Sequence, residues 1–234
     1  MRLVIHQPNF LPYVGFFHKL SLADTFVMMD NTQYDKKFTN RNKIKIPDGW
    51  SWLTVPINKE HKFLPNKLVE INNKENWKEM HWKKITRSYT NSKFFKKNYK
   101  SFFEEVYNKE WKFLLELNSE LLRQIIDWLG LKIQIIKESE LNINGNSTER
   151  LVNVCKELGA ETYVSGVGGK EYMNEKLFQK NNIKIEYQKF QCPTYTQIFG
   201  GDFIPNLSII DLLFNNGPKS LPILTDDTNC GVEC

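Results

Sequence analysis

The chain has 234 residues, 41% of them hydrophobic and 25% charged, which fits a globular protein of one large domain or one domain with an insertion. Its 32 basic and 27 acidic residues leave a net charge of +5, which suits an anionic ligand such as a nucleotide but does not argue for DNA or RNA. No run of about 18 apolar residues occurs and no signal-peptide h-region opens the chain, so no membrane span is expected and a cytoplasmic location is.

Leu3-Val4-Ile5 reads as a buried strand that starts the fold. His6-Gln7-Pro8-Asn9-Phe10-Leu11-Pro12-Tyr13 follows at once. Pro8 and Pro12 cannot donate to a sheet ladder, and each pushes its preceding residue out of the helical region. The strand must stop near His6, which leaves His6, Gln7 and Asn9 in a stiff loop at its carboxyl end. Ligands bind there in open α/β sheets. A strand-to-helix turn with a satisfied histidine is the plainer reading. Residues 14–20 read as a helix packing back on the sheet.

Thr25-Phe26-Val27-Met28-Met29-Asp30 is a second strand, one crossover after the first, so a right-handed parallel βαβ unit is predicted. Its polar end places Asp30 near His6, with Gln33, Tyr34, Lys36 and Lys37 following. Residues 39–46 and 50–56 alternate polar and apolar around Pro47-Asp48-Gly49, a β-hairpin signal. The first arm carries Asn40, Arg41, Asn42, Lys43 and Lys45. That basic strip either grips phosphates or is a solvated edge guarded by charge. Residues 67–71 read as a further short strand.

From residue 75 to 130 the aromatic and aliphatic residues recur at helical spacing, with breaks near Asn91-Ser92, Asn108 and Gly130. Three helices are predicted. Their aromatics read as core rather than as a base-stacking platform. Residues 132–136 return to strand, and residues 146–150 open a capped helix that runs to Gly159. Cys155 lies within it as a small core residue. Thr162-Tyr163-Val164-Ser165 is a strand, followed by Gly166-Val167-Gly168-Gly169-Lys170 and a helix over 172–178. The glycine corner is either an anion site with Lys170 as its charge or a tight turn. Its spacing matches neither a P-loop nor the dinucleotide fingerprint. Residues 183–187 form the last predicted strand. A polar loop with Cys192, Tyr195 and Gln197 leads to an apolar helix over 207–214, on which Asp211 reads as a loop anchor. Cys230 and Cys234 read as a frayed tail or a metal or redox pair.

These elements predict one α/β domain over residues 1–234: a Rossmann-like parallel sheet, a β-hairpin and a helical subdomain inserted at about 75–130. The candidate catalytic residues are His6 and Asp30. The candidate substrate- or phosphate-binding residues are Gln7, Asn9, Tyr13, Gln33, Asn40, Arg41, Asn42, Lys45, Ser165, Gly166, Gly169, Lys170, Tyr195 and Gln197. A histidine near neutral pKa is a general base, cations neutralise phosphates, and planar amides read hydroxyls and bases from both sides. No metal-ligand, Ser-His-Asp or Cys-His spacing competes with this set.

The long motifs at residues 5–13, Asp30 to Asn42, Ser165 to Tyr172, Pro193 to Gln197 and 208–217 occur in an order that resembles the WbqC-like family over nearly the whole chain. Similar proteins are encoded among genes for bacterial surface polysaccharides and unusual nucleotide sugars. The resemblance implies an enzyme of O-antigen, capsule or related glycan synthesis that binds a nucleotide-linked amino sugar and transfers an acyl or aminoacyl group from an activated donor. A non-catalytic nucleotide-sugar binder is the alternative. A strand ending in histidine also looks like the opening of nucleotidyltransferases and class I aminoacyl-tRNA synthetases, which implies an ATP-dependent enzyme. Those carry His-x-Gly-His, and the row here is His6-Gln7-Pro8-Asn9. A charged tRNA as donor is permitted by the net charge but not favoured, and a homo-oligomer is left open.

Overall fold

The computed structural model describes residues 1–226 and the backbone of residues 230–233. Five parallel strands form the sheet: β1 (Arg2–His6), β2 (Thr25–Met28), β5 (Gln134–Lys137), β6 (Thr162–Ser165) and β7 (Lys184–Phe190). The order is β5-β2-β1-β6-β7, with a short β8 (Cys230–Glu233) antiparallel on β7. The chain winds outward from β1 through β2 to β5, then returns to the other side of β1. The crevice between the carboxyl ends of β1 and β6 is therefore the topological switch point of the sheet. His6 pairs with Met28, so the first two strands end level with each other.

The hairpin β3 (Arg41–Ile46) and β4 (Gly49–Thr54) stands apart as a two-stranded antiparallel sheet. Helix α1 (Val14–Ser21) links β1 to β2, as the sequence predicts. Helices α2 (Trp77–Tyr89), α3 (Lys100–Asn108) and α4 (Leu114–Leu129) fill the predicted helical region, and Gly130 ends α4 in the left-handed conformation at φ 70°. Their aromatics are interior. Phe214 sits 4.8–5.5 Å from the ring centres of Tyr89, Phe95, Tyr99 and Phe103, all of them buried. These rings pack in one continuous core with Val4, Phe26 and Met28 of the sheet, so they are unavailable for stacking on bases.

Helix α5 (Ser147–Glu157) precedes β6, and α6 (Glu175–Lys180) precedes β7. Helices α7 (Ile209–Asn216) and α8 (Ser220–Leu224) follow β7 and precede β8. Three sequence expectations change. Residues 67–71 are not a strand: the Asn66 amide donates to the Met29 and Thr32 carbonyls and folds Asn66–Leu68 into a 3-10 turn, leaving only single bridges at Glu70 and Ile71. The helix expected from Tyr172 begins at Glu175, because Val167–Glu171 forms its own 3-10 turn. The strand at 184–190 is not the last, since Cys230 opens β8; Cys234 lies outside the described residues.

Candidate functional site

Two cavities flank His6 at the carboxyl edge of the sheet. The larger, about 620 Å³, lies among the histidine loop, the segment from Met29 to Thr39 and the start of α5. The smaller, about 360 Å³, lies between His6, α1 and the turn after β6. Both fall within or near the size range of small-molecule sites.

The loop between β1 and α1 is held from outside. Leu11 takes a left-handed φ of 41°, unusual for a branched residue. The Asn42 amide donates to its carbonyl at 2.7 Å. On α4, the buried Asn118 amide donates to Pro8 O at 2.9 Å and to Thr39 O at 2.8 Å. One side chain thus ties together the two segments that wall the larger cavity. Ser147, at the mouth of α5, is also left-handed, with φ 49°.

The His6 imidazole lies edge-on to Phe16 at 5.1 Å and contacts the Gln7 carbonyl through Nδ1 at 3.0 Å. A carbonyl only accepts, so Nδ1 carries the proton and Nε2 is a bare acceptor. Its pKa is lowered to about 3, first by burial and then by the Lys19 charge, with the Gln7 carbonyl opposing both. The ring is neutral at physiological pH.

The candidates separate into three groups. His6, Gln7, Asn9 and Gln33 line the larger cavity, while His6, Tyr13 and Gly166 line the smaller. The others line neither cavity, and each has contacts of its own. Asp30 accepts from Ser139 N at 2.9 Å and from its hydroxyl, which fixes the turn after β5. Asn40 donates to Val55 O. Arg41 stacks on Trp52 at 4.4 Å. Lys45 is buried and donates to Gln197 Oε1, Gly200 O and Asp202 O, and Gln197 also clasps Ile204. Tyr195 packs on Phe203 near Asp211. Ser165 bonds the Gly166 carbonyl beneath the buried Gly169, and Lys170 lies over the Tyr187 ring at 4.8 Å. The hairpin braces the histidine loop through Asn42, while Arg41 lines neither cavity.

The positive charge in the larger cavity comes from Lys37 and Arg150, and Asp35 adds one carboxylate, so its lining is net cationic by one charge. Arg150 is fixed by an ion pair from its Nε to Glu138, whose side chain is fully buried. It stands in the first turn of α5, where unpaired backbone amides and the helix dipole favour an anion. Asn31, Thr32, Asn146, Tyr163 and Tyr172 add amides and hydroxyls. Sequence reasoning missed Arg150, Asn118 and Lys19. Arg150 followed a capping signal after a polar loop and was readable as a helix-start cation; the other two sat on apolar helices with no local mark.

Among the described residues, no helix is long and apolar enough to cross a membrane. A family model described as the WbqC-like protein family matches residues 7–223. An uncharacterized protein of Mycobacterium tuberculosis, Rv1507c, is 30% identical over 222 residues, spanning 94% of this chain and 95% of that one. No solved structure matches.

Proposed function

Since the chain belongs to the WbqC-like protein family, we propose that it is a cytoplasmic enzyme of bacterial surface-polysaccharide synthesis that holds a nucleotide-linked amino sugar and transfers an acyl or aminoacyl group to it. The observation that carries this reading is the larger cavity. It sits at the strand ends beside the switch point, is lined by amides and hydroxyls, and has a fixed guanidinium at a helix start. Arg150 and Lys37 offset phosphate charge. Gln7, Asn9, Asn31 and Gln33 read the sugar or base, because each planar amide both donates and accepts. His6 presents Nε2 as acceptor to the amine or hydroxyl that attacks the acyl carbon and takes its proton as the new bond forms; the bond from that carbon to the donor's carrier then breaks, and the carrier leaves with the proton that His6 returns.

A non-catalytic binding role has one observation in its favour. With a pKa near 3, His6 is a weak base at neutral pH. A bound phosphate beside the ring raises that value, since an opposite charge favours the imidazolium.

The test is a thermal-shift screen of the full chain against nucleotide-linked amino sugars, followed by mass spectrometry for acylated product with activated donors. A nucleotide sugar is expected to raise the Tm, and His6→Ala is expected to keep that shift while abolishing product. A panel in which no nucleotide sugar shifts the Tm overturns the reading. Binding unaffected by His6→Ala, with no turnover by wild type under any donor, moves the assignment to the binding role.

A further inference from the structure

We infer that the smaller cavity, which shares His6 with the larger one, is a binding site for the carboxylate of a small organic acid, held by Lys19 and Tyr13. Lys19 is only 6% exposed and lines this cavity. Its ammonium makes no hydrogen bond or ion pair among the described residues. A buried cation without a counter-charge is costly, and lysines are rarely buried unless paired. Lys45, equally buried in the same protein, meets three oxygen acceptors. Lys19 meets none, so the fold leaves its counter-ion to be supplied from outside.

The rest of the wall fits a carboxylate. The Tyr13 hydroxyl has no hydrogen-bond partner among the described residues, and burial keeps the phenol protonated and therefore a donor. Gly166 and Gly168 face the cavity with nothing within 4 Å of where a β-carbon would stand. The Gln188 amide nitrogen is already committed to Gly15 O and His18 Nδ1, so it does not compete for the ligand. One formal cation lines the cavity, since His6 is neutral there. A single positive charge balances a carboxylate and leaves a phosphate dianion under-neutralised. Burial lowers Lys19 to about 8, and a bound anion restores its charged form.

This places two ligands beside one imidazole, since His6 lines both cavities. The anion site goes beyond the transfer reading and does not depend on it.

The probe is acetate, titrated into the full chain while the backbone amide resonances of Val167 and Gly168 are followed by NMR, with inorganic phosphate as the competing arm. Acetate is expected to saturate wild type and to bind Lys19→Met weaker by about tenfold or more, the worth of a charge-assisted hydrogen bond. Tyr13→Phe is expected to weaken it less. Lys19→Met is also expected to raise the Tm, because it removes a buried unpaired charge at nearly constant volume. Absent binding, equal binding by Lys19→Met, or a Lys19→Met chain that unfolds at lower temperature overturns the site. Phosphate outcompeting acetate overturns the carboxylate assignment. Acetate binding retained while every nucleotide sugar fails sinks the transfer reading and leaves this site standing; the reverse pattern sinks this site alone.

Discussion

The Asn118 amide reaches from the N-terminal part of α4 to the carbonyl of Pro8, 110 residues earlier, and holds it at 2.9 Å. A helix in the aromatic core thereby fixes the loop that carries His6, while its second bond fixes Thr39 on the opposite wall of the larger cavity. Replacing Asn118 by Leu leaves two buried carbonyls without a donor. The expected loss is roughly 2–6 kcal/mol in denaturant unfolding, at about 1–3 kcal/mol per orphaned group. Nucleotide-sugar affinity should fall too, although Asn118 does not line the cavity. Unchanged stability would show that water or a shifted loop satisfies both carbonyls.

Arg150 and Glu138 form a pair whose carboxylate is fully buried. Removing either partner strands a charge. Arg150→Met is expected to cost about 3–5 kcal/mol and to abolish the nucleotide-sugar shift. Glu138→Gln keeps an acceptor for Nε–H and should lose less stability. Calorimetry of the two variants, each with and without ligand, separates support of the fold from contact with the anion.

Asp30 binds the Ser139 amide and hydroxyl, and its carboxylate is 1% exposed as a residue. A positioning role for the β5 turn predicts coupling between these residues. Asp30→Asn and Ser139→Ala are expected to cost about 1–3 kcal/mol singly and less than their sum together. The His6 titration, followed by NMR, should not move in either variant. A shift in it would return Asp30 to the catalytic candidates.

His18 and His81 are buried, and burial lowers each from 6.5 to about 4. A lowered base takes up its proton on unfolding, so stability present above pH 6.5 is lost as pH falls toward 4, by at most about 3 kcal/mol for each. Asp211 runs the opposite way. Burial raises it from 3.8 to about 6 against the bond from Tyr89, so its contribution is present below pH 3.8 and lost as pH rises through 6. With His6 lowered to about 3, three histidines outweigh one carboxyl, and net acid lability is expected between pH 6.5 and 4. His18→Asn keeps an acceptor for Gln188, and His81→Gln keeps a donor for Thr54. Together they should flatten that slope, while Asp211→Asn should steepen it. Urea midpoints measured across this pH range decide the matter.

The sequence by itself determined most of the elements and the strand-end loop beside which the two cavities open. Apolar runs at Leu3, Phe26, Val164 and Ile185, separated by crossover lengths, specify a parallel sheet, and Pro8 and Pro12 end β1 at His6 whatever surrounds it. Those are local steric facts, legible residue by residue. Family membership was legible as well, because it rests on motif order. Which polar side chains face a cavity was not. Asn40, Asn42, Lys45 and Gln197 look like ligand-reading groups in a row of letters, yet each satisfies a backbone carbonyl or amide that a loop would otherwise bury unpaired. Lys19 looks like the polar face of a short helix and is buried without a partner. Partnering is a property of distant chain segments meeting, so only the packed tertiary structure decides whether a charge is spent on the fold or left for a ligand.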